Sequence, residues 1–286
     1  MELTAAEIRR AVRAALAEDI GRGDVTTLAT VPRAATAQAA VRAREPLIVA
    51  GLEFATAAFH GLSATVKIKR LVRDGQRVKA GAALLRISGP ARAILSAERV
   101  ALNFVQRLSG IATLTAQFVA AVKGTRAQIL DTRKTTPGWR RFEKYAVTCG
   151  GGHNHRLGLF DLVLIKDNHL AALRDAKTNA IVAAVRRARE KFPRLKIEVE
   201  ADTLKQAEQA AAAGADIILL DNMGPTQLQR AVKLVRGRAK TEASGGINLG
   251  NVAAIAATGV DYISIGALTH SARAVDFSLE LADGQA

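Results

Sequence analysis

Ile217-Ile218-Leu219-Leu220-Asp221 is a short apolar run that ends in a carboxylate, and the second half of the chain contains six runs of this kind. Each run leads into a residue that suits binding of a phosphate, a carboxylate or a metal ion. Because helix-like segments separate the runs, the pattern predicts parallel strands whose polar ends meet at one mouth of an α/β barrel. The runs and their ends are Gln128–Leu130 before Asp131–Lys134, Leu162–Ile165 before Lys166, Ile197–Val199 before Glu200, Ile217–Leu220 before Asp221, Thr241–Ala243 before Ser244–Gly246, and Tyr262–Ile265 before Gly266.

Apolar periodicity predicts helices between these strands, and the pattern leaves open whether a seventh or eighth strand is present. The predicted helices are Ala176–Arg189, Leu204–Ala213, Pro225–Val235 and Gly250–Ala257.

The first 123 residues follow a different pattern. Residues 4–17 have the periodicity of an amphipathic helix that begins with a capping box, and Glu18–Thr27 predicts a turn-rich loop with a structural or interface role. Short strands around one helix are predicted before a long helical region at 90–123 that links two domains. We expect a first domain at 1–112, joined by the tail 271–286, and a barrel domain at 113–270.

The composition bounds the class of protein. The chain has 286 residues, of which 49% are hydrophobic, and a net charge of +15, so it predicts a globular protein with a basic surface or a polyanionic ligand. Nucleic-acid binding is disfavoured because the basic residues are scattered and are not interleaved with aromatic residues. The single cysteine, Cys149, together with the lack of a secretion signal or bilayer-spanning run, predicts a cytoplasmic protein without a membrane partner.

Glycines after the last two strand runs predict a phosphate site. Ser244-Gly245-Gly246 precedes a predicted helix, so backbone N–H groups and the helix dipole suit an anion there. Gly266 follows the next strand, and the last two loops of many barrels bind phosphate together. His270 would add a donor. Ordinary tight turns are the alternative interpretation of the glycines.

Basic residues follow the first two strand runs, and they predict a carboxylated ligand. A lysine at the end of a buried strand is costly without an anion, and arginine suits bidentate contact with a carboxylate. These residues are Arg133, Lys134, His155, Arg156 and Lys166.

A zinc site is the alternative interpretation of His153, His155 and His169. Zinc requires three or four ligands in a set geometry, and the neighbouring arginines and lysines would repel the ion. The sequence therefore disfavours zinc here.

Carboxylates end the third and fourth runs. Glu198 and Glu200 alternate with apolar residues and so share one face of a strand, while Asp221 ends the next strand. Glu200 and Asp221 suit Mg²⁺ bound with a substrate phosphate, or the stabilisation of a developing positive charge. An ion-pair network with Lys166 is the alternative. Together the strand ends predict a substrate with a terminal phosphate, a second polyanionic group that brings Mg²⁺, and a carboxylated portion.

Ten stretches spread along the chain carry a more specific signal. They are Glu18–Thr27, Glu98–Asn103, Leu108–Thr113, Thr132–Gly138, Gly150–Arg156, Leu164–His169, Glu198–Glu200, Leu219–Asn222, Glu242–Ile247 and Ser264–His270. In these stretches the chain resembles the quinolinate phosphoribosyltransferases. The resemblance implies an α/β protein with a partly open seven-stranded parallel barrel and an N-terminal open α/β sandwich domain. It also implies a homodimer or higher oligomer in which Arg99 completes the site of the neighbouring subunit.

The resemblance further implies a reaction and residue roles. Quinolinate and 5-phosphoribosyl 1-diphosphate would give nicotinate mononucleotide, diphosphate and CO₂ in NAD biosynthesis, with Mg²⁺ as cofactor. Lys134, Lys166, Glu200 and Asp221 would be catalytic, and the last two would face the ribose and hold Mg²⁺ directly or through water or substrate. The implied quinolinate contacts are Arg99, Arg133, His155, Arg156 and Lys166, Lys134 lies between quinolinate and the diphosphate, and the 5′-phosphate is held by Ser244, Gly245, Gly246, Gly266 and His270.

Two other functions are weighed against this one. A related protein of the molybdate-transport type would share the fold but take another acceptor, and the full Asn154–Arg156 and Lys166–His169 sets argue against it. A non-enzymatic nucleic-acid-binding protein is suggested by the net charge alone.

Overall fold

The computed structural model describes residues 1–173 and 179–282. These form two compact units, the first made of Met1–Ala116, Arg141–Gly151 and the chain from Ser271, the second of Gln117–Arg140 and Gly152–His270. In chain order the elements are α1 (Ala5–Ile20), α2 (Val25–Thr30), β1 (Thr36–Ala43), β2 (Leu47–Ile48), α3 (Leu52–Leu62), β3 (Lys67–Arg70), β4 (Arg77–Val78), β5 (Ala83–Pro90), α4 (Ala91–Ala121), β6 (Gln128–Leu130), α5 (Arg140–Cys149), β7 (Val163–Ile165), α6 (Asp167–Ala171), α7 (Ala180–Lys191), β8 (Ile197–Ala201), α8 (Leu204–Ala212), β9 (Ile217–Asp221), α9 (Pro225–Val235), β10 (Lys240–Ser244), α10 (Val252–Ala256), β11 (Tyr262–Ser264), α11 (Ala267–His270) and β12 (Phe277–Leu281).

The first unit contains an antiparallel sheet with strand order β12-β1-β5-β3 and a small two-stranded sheet of β2 and β4. The last strand, β12, pairs with β1 from Ala39↔Leu281 to Ala43↔Phe277, so the tail adds a strand to the sheet of the first unit. The core of this unit includes a stacked pair of rings, Phe54 and Phe104, with centroids 4.8 Å apart. Such aromatic pairs add packing energy beyond the area that they bury.

The amino-terminal segment begins as predicted and then departs from the prediction. Thr4 and Glu7 form the reciprocal capping box that starts α1. The predicted turn-rich loop at Glu18–Thr27 is confined to residues 21–24, because α1 continues to Ile20 and α2 begins at Val25. The Asp24 side chain accepts a hydrogen bond from the Thr27 N–H and caps this second helix. The Asp24 side chain also accepts from Ser96 Oγ on α4, at 2.8 Å, which ties the segment to the long helix.

The second unit contains a parallel sheet of six strands in the order β6-β11-β10-β9-β8-β7. Its strands are almost continuously buried, as in Ile197, Val199 and Ile218, because parallel sheets are covered on both faces. The predicted barrel-like α/β sheet preceded by an N-terminal sheet domain is therefore confirmed. All six carboxyl ends meet at one edge, which brings the polar residues of the sequence pattern together.

The seventh strand implied by the resemblance is reduced to one residue pair. His153 forms an isolated parallel bridge with Leu130 of β6, and the His153 N–H donates to Ile129 O at 2.8 Å. Among the described residues the sheet therefore has six strands with this bridge beside β6, and no pairing joins β6 to β7. The segment that follows the glycines at 150–152 has this one bridge residue and no strand.

The helices between the parallel strands agree with the predicted periodicity. α8 and α9 begin at the predicted residues Leu204 and Pro225, and α10 begins two residues later than predicted, at Val252. The start of the predicted helix Ala176–Arg189 lies outside the described residues, and its described part begins at Ala180. Within the described parts of the chain, no helix combines the length and apolar character needed to cross a bilayer.

Candidate active site

A cavity of about 630 Å³ opens at the carboxyl ends of the parallel strands in the second unit. Every candidate residue from the strand ends lines it, whereas Arg99 does not. The predicted residues that it brings together are Arg133, Lys134, His155, Arg156, Lys166, Glu200, Asp221, Ser244, Gly245, Gly246, Gly266 and His270.

One group of lining residues, Arg133, Lys134, Arg156 and Lys166, forms what we call the cationic wall. Burial and the nearby Arg133 both lower the pKa of Arg156, so the two guanidinium groups are close and mutually unfavourable. The Arg133 Nε is buried without a hydrogen-bond partner among the described residues. A buried donor without a partner is costly, and an anionic ligand would relieve both the repulsion and the missing bond.

The segment that carries these cations is organised by Asp131, which sequence reasoning did not single out. Asp131 is completely buried, and its carboxylate accepts hydrogen bonds from Asn154 Nδ2 at 2.6 Å and from the His155 N–H at 2.9 Å. Buried carboxylates are retained where they are hydrogen-bonded. Asp131 therefore joins the end of β6 to the segment that precedes Arg156. Its position after a strand was a signal, but the sequence did not give its partners.

A second group, Glu200 and Asp221, forms what we call the acidic wall. Glu200 accepts from Lys166 Nζ at 2.6 Å, so the ion pair that the sequence left as an alternative is present in the structure. Burial, Glu200 and Asp202 together raise the pKa of Asp221. The acidic wall thus carries more negative charge than Lys166 balances, and this charge suits a bound divalent cation.

Glycines after β10 and β11 bring the backbone close to the cavity. Gly245 and Gly246 have φ angles of 92° and 63°, in the left-handed region that side chains disfavour. An added Cβ at Gly266 would lie 2.9 Å from Lys134 Cδ and 3.1 Å from His270 Nε2. The helix that follows this loop, α10, has five residues and begins at Val252, two residues later than predicted. Any anion bound at this loop depends on its backbone N–H groups.

Asn222 joins the acidic wall to the loop Ser244–Gly246, which we call the glycine loop. Among the residues that the structure describes, it is the one non-glycine residue with positive φ, at 53°. Its Nδ2 donates to Asp221 Oδ2 at 2.6 Å, and its N–H donates to Ser244 O at 2.9 Å. The residue lay inside a matched stretch, but sequence reasoning assigned it no role. Asparagine directly after a strand-end aspartate was the available signal, because it tolerates this conformation.

Two protein-family models match nearly the whole chain. The model for the N-terminal domain of quinolinate phosphoribosyl transferase matches residues 24–109, and the model for its C-terminal domain matches residues 111–280. The chain belongs to the quinolinate phosphoribosyltransferase family. The resemblance seen in the sequence is therefore confirmed.

Relatives of this family are similar over almost their full lengths. The nicotinate-nucleotide pyrophosphorylase [carboxylating] of Mycobacterium leprae is 46% identical over 279 residues, which is 96% of each chain. A probable enzyme of the same name from Bacillus subtilis is 43% identical and covers 92% of this chain and 90% of its own. Among solved structures, NadC from Streptococcus pyogenes is 42% identical with a TM-score of 0.93, covering 99% of this chain and 100% of its own. The nicotinate-nucleotide pyrophosphorylase from Francisella tularensis has a TM-score of 0.92 at 41% identity, covering 98% of each chain.

His155 contacts two buried carboxylates in this family member. Its Nε2 lies 3.0 Å from Glu198 Oε2 and 3.6 Å from Glu242 Oε2. Glu198 and Glu200 both face the barrel interior, which agrees with their predicted common face, but Glu198 is completely buried. Sequence reasoning assigned no role to Glu198 or Glu242, because nothing local in the sequence pairs residues 44 positions apart.

The other two histidines of the zinc alternative do not join His155. His153 lies in the bridge with Leu130, and His169 Nδ1 accepts from the Lys166 N–H at 2.9 Å at the start of α6. Among the described residues, the one cluster with metal-ligand spacing is His155, Glu198 and Glu242. Among the described residues, the three histidines of the zinc alternative therefore do not form one site.

Arg99 belongs to the first unit, as an exposed residue of α4. It lies one turn after Ser96, which binds the Asp24 side chain, and it shares a shallow surface depression with Asp24 and Val25. The segment before α2 is thus placed beside Arg99. Val25 is 78% exposed, so this face presents an apolar side chain next to the exposed Arg99.

Proposed function

We propose that this protein is a quinolinate phosphoribosyltransferase. It would convert quinolinate and 5-phosphoribosyl 1-diphosphate to nicotinate mononucleotide, diphosphate and CO₂ in NAD biosynthesis. The observation that carries the proposal is a single cavity in a member of this family. One wall of the cavity has excess positive charge and the other has excess negative charge. A pyridine dicarboxylate suits the first wall, and a ribose with its diphosphate and Mg²⁺ suits the second.

The acceptor binds at the cationic wall in this proposal. Arg133 and Arg156 would each contact a carboxylate, since their like charges and the buried Arg133 Nε favour an anion between them. Lys166 would exchange Glu200 for the acceptor, or bind both. His155 lies beside these cations, and Lys134 would lie between the acceptor and the leaving diphosphate.

The donor binds at the acidic wall and the glycine loops. The backbone N–H groups at Ser244–Gly246 and Gly266, with His270, would hold the 5′-phosphate. Glu200 and Asp221 would face the ribose. These carboxylates also fit Mg²⁺, because burial, followed by the charges of Glu200 and Asp202, raises the pKa of Asp221 despite the nearby Lys166. When bound with the diphosphate, Mg²⁺ would offset the charge of the leaving group.

The reaction has two parts in this mechanism. The ring nitrogen of quinolinate attacks the anomeric carbon as the bond to diphosphate breaks, and the positive charge that develops on the ribose is stabilised by Glu200 and Asp221. Ribosylation leaves a pyridinium ring, so the adjacent carboxylate can depart as CO₂ while the ring retains the electron pair. A proton then replaces the carboxylate. Arg133 and Arg156 hold the ring in position for both parts, and such positioning is a large share of enzymatic rate gain.

We further propose a homodimer, or a higher oligomer built from it, in which Arg99 completes the cavity of the neighbouring subunit. The exposed Arg99 lies beside the exposed apolar Val25, as expected of a charged contact at the rim of an interface. A cytoplasmic location is proposed from the single cysteine, Cys149, which cannot form a disulfide within the chain.

One assay tests the activity. The purified protein is incubated with quinolinate, phosphoribosyl diphosphate and Mg²⁺, and nicotinate mononucleotide and CO₂ are measured. We expect both products in equal amounts and none without Mg²⁺. If neither quinolinate nor nicotinate gave product, the proposal would be contradicted. Salt-sensitive oligonucleotide binding that persists in an Arg133→Ala variant would instead support the nucleic-acid alternative.

A further inference from the structure

The buried cluster behind the cationic wall is not used by the proposed mechanism. Glu198 is 0% exposed and Glu242 is 1% exposed, and one ligand-type atom from each lies within 4.8 Å of the other and of His155. Among the described residues, no contact to the four carboxylate oxygens meets both the distance and the angle of a good hydrogen bond, although Ser264 and His155 lie close enough to lower the pKa of Glu242. Two adjacent carboxylates in this state, both charged, would be expensive to bury.

The hydrogen bonds of His155 indicate where its ring proton lies. The Arg156 N–H donates to His155 Nδ1 at 2.7 Å, so Nδ1 is an acceptor and carries no proton. A neutral imidazole has one N–H, and it must therefore be on Nε2. Nε2 lies 3.0 Å from Glu198 Oε2, which is within hydrogen-bonding distance of a carboxylate oxygen. His155 is thus neutral and directs its single N–H away from Arg156, into the cluster.

One neutral N–H cannot satisfy two charged carboxylates. A proton shared between the two acids supplies the missing donor and halves the buried charge, as in other paired carboxyl groups. We propose that Glu242 is held as the neutral acid and donates to the Glu198 carboxylate, and that this pair fixes His155 as the neutral Nε2–H tautomer. His155 is then a positioning residue that orients the Arg156 backbone, and the acceptor is met by the charges of the cationic wall alone.

The electrostatics of the cluster agree with this geometry. Burial, followed by the charge of Glu198, raises the pKa of Glu242 to about 8, so the acid is largely protonated at neutral pH. The groups that face Glu242 are Glu198 on β8, Ser264 on β11 and His155. Ser264 and His155 act in the opposite direction, but burial and Glu198 outweigh them.

A divalent cation would also neutralise two carboxylates, and the same hydrogen bond argues against it. A metal on Nε2 needs the lone pair of that nitrogen, and the ring proton would then have to lie on Nδ1. Nδ1 instead accepts from the Arg156 N–H, so the ring presents a proton, not a lone pair, to the cluster. A proton therefore suits this cluster better than a metal ion.

The consequence for catalysis rests on the proposed function. Glu242 also lines the cavity that receives the acceptor. Ionisation of Glu242 would place a second negative charge behind a site that binds a dianion. The acceptor should therefore bind less well as the pH rises past about 8, where Glu242 loses its proton. A donor held at the other wall should be affected less.

The first test compares pH profiles of wild type, Glu242→Gln and the exposed control Glu208→Gln on α8. The glutamine keeps the shape and the donor of a neutral acid but cannot ionise. In wild type and in the control, we expect kcat/KM for quinolinate to fall by about tenfold per pH unit above pH 8, with a smaller change for phosphoribosyl diphosphate. This alkaline fall should be absent from Glu242→Gln, whatever its maximal rate. A Glu242→Gln profile that falls as wild type does would overturn the proposal.

The second test does not depend on activity. Side-chain ¹⁵N chemical shifts of His155 in the full-length protein, assigned by comparison with His155→Asn, should report a neutral ring with its proton on Nε2 at pH 7. They should change near pH 8 in wild type and not in Glu242→Gln. A charged ring, the other tautomer, or a stoichiometric divalent ion that is present in wild type and lost in Glu242→Gln would each overturn the proposal. If these shifts are as expected but wild type forms no nicotinate mononucleotide, the proposed function fails and the assignment of the buried pair stands.

Discussion

The cationic and acidic walls line the same cavity, yet they are unbalanced in opposite senses. On the cationic wall, burial and Arg133 lower the pKa of Arg156, whereas on the acidic wall burial and Glu200 raise the pKa of Asp221. The Lys166–Glu200 ion pair is the contact between them that the described residues show. Each wall is therefore destabilised by burial and then by its own like charges, and a ligand of opposite charge at each wall would offset both effects. The difference explains why one cavity can separate an anionic acceptor from a donor that brings a cation.

The largest expected effect comes from breaking the cationic wall. Arg133→Ala removes a half-buried arginine whose Nε is enclosed, and Lys166→Ala also leaves Glu200 without its partner. Loss of one partner of a desolvated charge pair costs roughly 2–5 kcal/mol, so we expect kcat/KM for quinolinate to fall by about 10²- to 10³-fold in each variant. Steady-state kinetics measure this, with the exposed Arg187→Ala on α7 as control. Near wild-type kinetics in both variants would contradict the proposed function.

The glycine loop extends the comparison from side chains to the backbone. At Gly245 an added Cβ would lie 2.1 Å from Asn222 Oδ1, and φ is 92°, whereas Gly237 has φ 77° with open space around it. Both alanine variants should lose about 1–2 kcal/mol through the left-handed conformation, but only Gly245→Ala should also displace its neighbour. We expect KM for phosphoribosyl diphosphate to rise at least tenfold in Gly245→Ala.

Thermal unfolding and kinetics of the two glycine variants together decide this prediction. An unchanged donor KM in Gly245→Ala, alongside a normal loss of stability, would show that the loop does not contact the donor. An equal rise in Gly237→Ala would show that the effect is global.

A contrast between local signals and long-range contacts accounts for what the sequence could predict. Strand ends and glycines are local signals, so Glu200, Asp221 and Gly245 were found from the order of apolar runs and turns. The partners of Asp131, Glu198 and Glu242 were not found, because they are chosen by strand neighbours far apart in the chain. The missed helix α2 depends on a single cap at Asp24, in a segment whose glycines favoured a loop. Tertiary contacts decided the partners of the three buried acids, whereas a local cap decided α2.

Substitutions of Asn222 test how the acidic wall is connected to the glycine loop. Asn222→Ala and Asn222→Gly both remove the amide that donates to Asp221, so each should lower kcat/KM for phosphoribosyl diphosphate by about tenfold. Only alanine retains a Cβ in the left-handed region, so it should be about 0.5–1 kcal/mol less stable than the glycine variant. Chemical denaturation measures the stability difference due to the Cβ, and steady-state kinetics measure the effect of losing the amide. If glycine restored wild-type donor kinetics, the backbone and not the amide would position Asp221.

The smallest effect concerns the stability of the acidic wall itself. Because the pKa of Asp221 is raised in the folded protein, the native state binds more protons than the unfolded chain just above pH 3.8, and stability falls as pH rises through that window. Above the folded pKa the deficit is complete. Asp221→Asn should therefore be slightly more stable than wild type at pH 7, by a fraction of a kcal/mol because the group is partly exposed, and the advantage should shrink below pH 4. Denaturant midpoints at the two pH values measure it. An advantage that grows on acidification would mean that Lys166 and Asn222 already balance this carboxylate without a bound cation.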